Sequence, residues 1–262
     1  MTPVTLAPSD LLAAGVLLAI NAALSLAFKL RLERPLLVAA ARMAVQLAAI
    51  GLVLKAIFDA SSPWMTAALA LVMVLAAGHE IWSRQAKGLR GIDCFALGAG
   101  TLLFVGMLAA PYAAGVVIGQ EPWHAPRVLL PILGMVLGNA LTGVTLVLST
   151  MTREAAQSAA AIEARLALGA GRHEALAEPL RASLRAGLMP MLNAMAVAGI
   201  VSLPGMMTGQ ILAGVDPVEA AKYQIMIMFV LAGSVALAAA LAALGAVLLL
   251  TDARDRLRHD RL

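Results

Sequence analysis

The sequence predicts an all-α, polytopic membrane protein of about seven transmembrane helices. Its amino terminus is expected outside, its carboxyl terminus in the cytoplasm, and a helical hairpin projects on the cytoplasmic side. Three observations predict this: a composition too apolar for water, seven long stretches without charge, and basic residues gathered in alternate connectors. Of 262 residues, 61% are hydrophobic and 13% charged, with a mean hydropathy of +0.90. A soluble domain is about 45–50% apolar and about 25% charged. So few charges cannot cover a water-facing surface on a chain this long, which excludes a soluble enzyme, a disordered chain and a nucleic-acid binder. The net charge of +4 therefore reads as a membrane-orienting signal and not as a nucleic-acid footprint. The single cysteine, Cys94, excludes a disulfide framework, a CxxC redox pair and a cysteine-rich metal site.

Stretches free of Asp, Glu, Lys and Arg run over 11–28, 43–54, 60–78, 94–120, 128–152, 186–215 and 223–251. All but 43–54 have about the 18 apolar residues a helical span needs, and 43–54 reaches that length if Arg42 and Lys55 lie inside the span. The expected helices are 9–28, 36–57, 64–82, 92–118, 128–150, 187–213 and 223–250. In hydrocarbon every backbone group needs a partner, so runs of this length are helical, and no alternation of barrel strands occurs. Residues 1–10 hold no Lys or Arg, so a signal peptide's positive region is missing; Ser9 and Asp10 stand where a cap would open the first span.

Orientation follows from the connectors. Lys29, Arg31, Arg34; Arg84, Lys87, Arg90; Arg153, Arg165, Arg172, Arg181, Arg185; and Arg254, Arg256, Arg258, Arg261 share one side if there are seven spans. These are fifteen of the 19 basic residues. Arg127 and Lys222, with Lys55 nearby, fall on the other. Such asymmetry places the richer side in the cytoplasm. The outer connectors, 58–63, 119–127 and 214–222, are short and hold Pro63, Pro122, Pro126 and Asp216-Pro217 as turn formers. The whole chain, 1–262, thus reads as a single transmembrane domain whose one large connector is 151–186.

That connector opens in Ala, Glu, Gln and Arg, good helix formers. Ile162 and Leu166 supply an apolar stripe, Gly169-Ala170-Gly171 a helix stop and sharp turn, and about 172–186 a second helix returning toward Pro190. The pattern suits a surface helical hairpin as well as a docking element.

Glu163-Ala164-Arg165, Gly169 six residues after the glutamate, and Leu188-Met189-Pro190 resemble the EAA signature of ABC-transporter membrane subunits. The third position is Arg instead of Ala, and the glycine-to-proline spacing is longer than usual. More of the chain resembles one family: Arg42-Met43-Ala44-Val45-Gln46-Leu47, Gly134-Met135, Gly138-Asn139-Ala140, Met151-Thr152-Arg153-Glu154, the run SLPGMMTGQILAG over 202–214, and Lys222-Tyr223-Gln224-Ile225. From about residue 36 to 250 the sequence is similar to the FetB-type iron-export ABC permeases, a family with plant relatives linked to aluminium tolerance. The resemblance implies a permease in the bacterial inner membrane, a homodimer paired with a separately encoded, FetA-like ATPase that binds ATP-Mg. It also implies that Arg153, Glu154, Glu163, Arg165, Gly169 and Gly171 couple the two subunits. No GxxxxGK[ST] occurs in the chain, so it has no P-loop of its own to cradle ATP phosphates, and no cofactor is expected in this chain.

Candidate pathway residues come from polar groups at depth. Arg42 and Gln46 are four apart on the second span, hence on one face. An intramembrane Arg is expensive and by default functional, although Arg42 is near enough to the cytoplasmic end to snorkel. Asn139 and Asn193 are amides inside the fifth and sixth spans, where bonding a neighbouring helix is the commoner role. Glu80 suits an interface charge or an arginine's partner better than a transport ligand. In the sixth span Pro204 removes an amide and Gly205 and Gly209 loosen the backbone, so a break is expected there, with Met206, Met207 and Gln210 beside it. Discontinuous helices often build substrate sites near the midplane; a plain kink packed through Gly205–Gly209 is the alternative, and Gly115–Gly119 and Gly134–Gly138 offer similar faces. Met206 and Met207, with Met189, Met191 and Met195, suit soft ions or serve as apolar filler. No carboxylate–histidine cluster lies within a span, so the metal ligands stay unassigned. Other cargoes stay open, a nucleotide sugar or another metal among them. An ion-coupled secondary transporter is disfavoured because no span carries a central Asp or Glu, and a membrane-embedded enzyme because no HExxH or paired aspartates occur.

Overall fold

A computed structural model describes residues 8–60, 62–85, 89 and 91–262. It divides into two compact units, Met1–Ala60 and Ser61–Leu262. Lys87 and Arg90, counted above for orientation, lie outside the described residues.

The first unit is a helical hairpin, α1 (Pro8–Ala27) and α2 (Glu33–Ala60). Ser9 and Asp10 lie within helix α1 as described from Pro8. The turn is held by Ser25, which is 2% exposed. Its hydroxyl donates to Glu33 Oε2 (3.0 Å) and accepts from the Leu32 amide (2.9 Å). Glu33 in turn sits at the positive end of α2. Lys29 and Arg31 adopt φ of 53° and 58°, a left-handed conformation that β-carbons resist, so the chain reverses without a glycine. Outside Ser25 and Ile57, the side chains described in this unit are exposed or partly exposed, as suits an apolar hairpin whose solvent is lipid or another protein surface.

The second unit is built on α3 (Pro63–Arg84), α4 (Ile92–Pro111), α5 (Pro126–Gln157) and α10 (Pro217–Leu250). Prolines stand in the first turn of α3, α5 and α10, where a missing amide costs nothing. Asp216 caps α10, its Oδ1 accepting from the Val218 and Glu219 amides (2.9 and 3.2 Å). Pro111 has no amide to return to the preceding turn, and the chain beyond it widens into a π-helix, Tyr112–Val117. Helix α10 supplies a face of small residues: Ala238, Ala239, Ala242 and Ala243 have no exposed surface. This is the kind of face on which membrane helices approach closely.

The close approaches themselves occur at glycines that share no motif. A β-carbon on Gly187 would stand 2.5 Å from Val147 Cγ2 and 2.9 Å from the Gly143 carbonyl oxygen; one on Gly78 would stand 2.6 Å from Ala99 Cβ. A β-carbon on Gly245 would run into Leu97. By contrast Gly205 and Gly209 have nothing within 4 Å, and neither do Gly119 and Gly138. The Gly205–Gly209 packing face is therefore not used within this chain.

The expected sixth span, 187–213, is not one helix. Helices α6 (Ala159–Ala167) and α7 (Arg172–Ala175) lead into α8, which runs Ala177–Val197 straight through Pro190; the chain then leaves helical form until α9 (Gly205–Leu212). The break starts before the proline, not at it. Ala198 is extended and Gly199 takes a φ of +83°. The Gly199 amide donates to the Ser202 carbonyl at 2.8 Å, and Val201 and Ser202 donate back to Val197 (3.0 and 3.2 Å). Pro204 occupies the capping position of α9, and the residue before a proline avoids helical dihedrals. Helix α5 likewise runs on past the expected residue 150 to Gln157.

Among the described residues, five helices are long and apolar enough to cross a membrane: α2, α3, α4 with its π continuation, α5 and α10. Among the described residues there is no strand beyond two isolated bridges, Ala198 with Ser202 and Thr251 with Leu257. The fold is all-helical.

Gly187→Ala should destabilise the chain by about 1–3 kcal/mol, because backbone as well as a side chain must move. Gly209→Ala, in open space, should be neutral or stabilise by about 0.5–1 kcal/mol. Thermal unfolding in one detergent compares the two; equal midpoints would contradict the packing at Gly143 and Gly187.

Candidate functional site

Two places gather the residues singled out in the sequence: the elbow between α5 and α8, and the break between α8 and α9.

At the elbow, Gly169 takes a φ of +93° and the chain closes α6 with a pair of reversed bonds. Gly169 donates to the Leu166 carbonyl and Ala170 to the Arg165 carbonyl, each at 3.0 Å, the double closure glycine permits after a helix. Gly171, at an ordinary φ of −70°, precedes α7. The expected helix, glycine turn and returning helix are thus present, with α7 as a separate single turn. Arg153 and Glu154 pair with each other at 3.4 Å near the end of α5. Arg165 is exposed, and Leu168 is 88% exposed.

Glu163 does not stand alone. Its Oε1 meets His259 Nε2 at 2.5 Å. Arg172 pairs with Asp255, and Arg261 Nη2 reaches Asp93 Oδ2 at 2.5 Å. These three contacts bring the last twelve residues onto the elbow and onto the first turn of α4, an arrangement sequence reasoning missed. The tail reverses at Asp252, whose side chain accepts from the amides of Arg254 and Arg256 and from the Arg256 guanidinium. The Arg256 amide and then its guanidinium hold that carboxyl down to about 2, so the turn stays charged at any near-neutral pH. Leu257 is buried, and Leu262 packs on the core. A groove of about 770 Å³ lies between tail and elbow, lined by Glu163, Leu166, Arg254, Asp255, Leu257 and His259 among others.

At the break a cavity of about 340 Å³ is lined by Met195, Pro204, Met207, Gln224, Met228 and Phe229 among others. Gln224 is 8% exposed, and its Oε1 has no hydrogen-bond partner; Gln210 Oε1 is buried and unpartnered as well. An unpaired buried amide oxygen costs about 1–3 kcal/mol; Gln224 lines the cavity, whereas Gln210 does not. Met206 is partly buried against the core. Asn139 is exposed and donates to the Met135 carbonyl of its own helix (2.8 Å), while Asn193 lies exposed on α8. Neither lines this cavity. Arg42 and Gln46 are exposed on α2 in the other unit. Glu80 accepts from Arg84 at 2.8 and 3.0 Å. Gln224 stood in the sequence only as part of a family run; its place two residues into a charge-free stretch was the signal for it. Among the described residues, no group of three or more His, Cys, Asp or Glu is placed to hold a metal ion.

Long apolar helices, one of them broken beside a polar-tipped cavity, mark a multi-pass membrane protein. The uncharacterised protein family UPF0014 matches residues 8–249, and the chain belongs to it. It is 38% identical over 205 residues to the UPF0014 membrane protein slr1647 of Synechocystis sp., covering 77% of each chain. It is 34% identical over 222 residues to the "Probable iron export permease protein FetB" of Escherichia coli, covering 82% of this chain and 80% of that one. With the rice UPF0014 membrane protein STAR2 it shares 35% over 225 residues, 85% of this chain and 76% of the relative. No solved structure matches the chain.

Gln224→Leu should raise the thermal midpoint by removing an unsatisfied buried group, whereas Gln224→Asn should not. A fall in the midpoint for Gln224→Leu would show that the amide is structurally satisfied.

Proposed function

We propose that the chain is the membrane-spanning permease subunit of an ABC transporter that exports a metal cation, iron first among the candidates, using a separate ATPase. The observation that carries this reading is the elbow: two short helices at residues 159–176, joined to α5 through Ser158 on one side and leading directly into α8 on the other. Helices α5 and α8 touch at Gly143 and Gly187, and no β-carbon fits at Gly187. Motion of the elbow therefore passes to both helices together, and α8 ends at the break. About eleven residues of α8 beyond 186 span about 16 Å at 1.5 Å per residue, about half the hydrocarbon thickness. The break then lies at mid-depth, where it can switch access between the two sides.

In this reading a homodimer with two FetA-like ATPases forms the working unit in the bacterial inner membrane. The partner binds ATP-Mg and hydrolyses it; Arg153, Glu154, Glu163, Arg165, Gly169 and Gly171 transmit its closure. Pro204, Met206, Met207 and Gln210 form the pathway at the break, with Asn139 and Asn193 on α5 and α8; Arg42 and Gln46 are the polar pair proposed on α2 of the first unit. The Escherichia coli relative's name supports iron as cargo. The elbow, the end of α5, the start of α8 and the tail all lie at the arginine-rich end of the second unit, which supports a cytoplasmic carboxyl terminus. With seven spans the amino terminus falls outside.

The cavity at the break supports a second reading. At about 340 Å³ it exceeds a bare ion, so a chelated metal or a nucleotide sugar is the competing cargo.

Co-expression with a neighbouring ABC ATPase, purification, and ATPase assay across metals and nucleotide sugars tests both. Iron should stimulate hydrolysis several-fold over the empty complex; stimulation by nucleotide sugars alone would favour the second reading, and a chain that moves cargo with no ATPase would end both. Gly169→Val, which forces a β-branched residue to a φ of +93°, should leave the complex assembled but cut transport per ATP hydrolysed at least tenfold. Coupling equal to wild type would remove the elbow from the mechanism.

A further inference from the structure

Of the five methionines that the sequence groups near the break, the fold brings two to the cavity. Met195 on α8 and Met207 on α9 line it, and Met228 joins them from α10. Met189 is 49% exposed and Met191 is buried in the core, both outside the cavity. Three thioethers from three helices therefore border one space of about 340 Å³. Methionine often fills gaps in cores, but a side chain acting as filler removes void, and here the void persists between them.

The rest of the lining fits a cation of low charge. Gln224 stands four residues before Met228 on α10, hence on the same face, and its buried side-chain carbonyl oxygen has no partner. Helix α8 ends at Val197, with Ala198 and Gly199 in the cavity wall, so the negative end of its backbone dipole lies there. Among the described residues, no carboxylate, imidazole or thiol lines the space. An ion held by neutral groups keeps its full charge. Desolvation cost rises with the square of that charge, so a divalent ion is penalised about fourfold more than a monovalent one. Thioether sulfur selects soft ions such as Cu(I), whereas iron is suited by imidazole and carboxylate.

We propose that the cavity at the break is a binding site for a soft monovalent cation, Cu(I) or its silver analogue, held by the thioethers of Met195, Met207 and Met228. Gln224 Oε1 is the weak fourth ligand, a part that glutamine takes in some copper sites. Each methionine has three rotatable side-chain bonds, so the thioethers can close on an ion smaller than the cavity. The room left over admits a small ligand that the ion brings with it. Binding here needs no motor; the inference rests on the permease reading above only in making the bound ion a cargo. Iron would then pass this point as a chelate.

The test titrates Cu(I), kept reduced with ascorbate, onto the full-length chain in lipid nanodiscs against the chelator bicinchoninate. Wild type should hold a Cu(I) ion with sulfur as its nearest shell in X-ray absorption. Met195→Leu, Met207→Leu and Met228→Leu, which conserve volume, should each weaken binding at least tenfold and lower the sulfur count. The thermal midpoint should move by no more than a few degrees. Gln224→Leu should weaken binding several-fold. Met189→Leu, exposed on α8, should bind like wild type, and Cys94 is present in every variant. Fe(II) should displace Cu(I) at least a hundredfold less well than Ag(I) does. If the three lining variants lose no more than Met189→Leu, or wild type holds no Cu(I), the site is overturned while the permease reading stands on its own ATPase test. If Fe(II) competes as well as Ag(I), the soft-ion assignment falls.

Discussion

The contact on which the rest of the second unit depends is the meeting of α5 and α8 at Gly143 and Gly187. Membrane helices gain nothing from hiding apolar surface from one another, because lipid is equally apolar; association comes from close packing. Here packing is tight enough that a single added methyl group at Gly187 meets both a side chain and a backbone oxygen. Dense interiors transmit displacement instead of absorbing it. The two arms of the elbow are consequently packed as one body.

The break between α8 and α9 is the counterpart of that rigidity. Hydrocarbon tolerates non-helical backbone only where protein or a polar cavity satisfies it. Between Ala198 and Pro204 the chain satisfies part of the demand itself, through the bonds among Val197, Gly199, Val201 and Ser202. The remainder falls beside a cavity that also holds the unpartnered Gln224 oxygen. Neutral carbonyl, amide and thioether groups distinguish this cavity from a carboxylate–imidazole site for a hard or borderline cation. Any cargo passing here keeps much of its own ligand shell or charge compensation.

The long spans were legible in the sequence because hydrocarbon demands uninterrupted apolar runs, and the elbow because a left-handed helix stop needs a glycine, which Gly169 provides. The break was legible as an event but not in position: Pro204 announced it, whereas the helix actually ends at Val197, where Gly199 allows a φ that other residues resist. The glycines that matter for packing were not legible, since Gly143 and Gly187 sit 44 residues apart and only the fold brings them together; the Gly205–Gly209 pair has no neighbour within 4 Å in this chain. Likewise Glu163 carried a family signature, but nothing local announced His259 as its partner. A contact between positions 96 residues apart belongs to tertiary structure alone.

The tail shows how weak and strong terms divide the work. Exposed ion pairs contribute about 0–1 kcal/mol each, so Glu163–His259 and its neighbours cannot hold the tail down unaided. Burial of a leucine side chain supplies about 1.5–3 kcal/mol, and Leu257, with Leu262 partly buried, provides that anchor. The charged pairs then decide where the anchored segment lies. A face assembled in this way keeps its shape when one pair is broken yet loses alignment when two are.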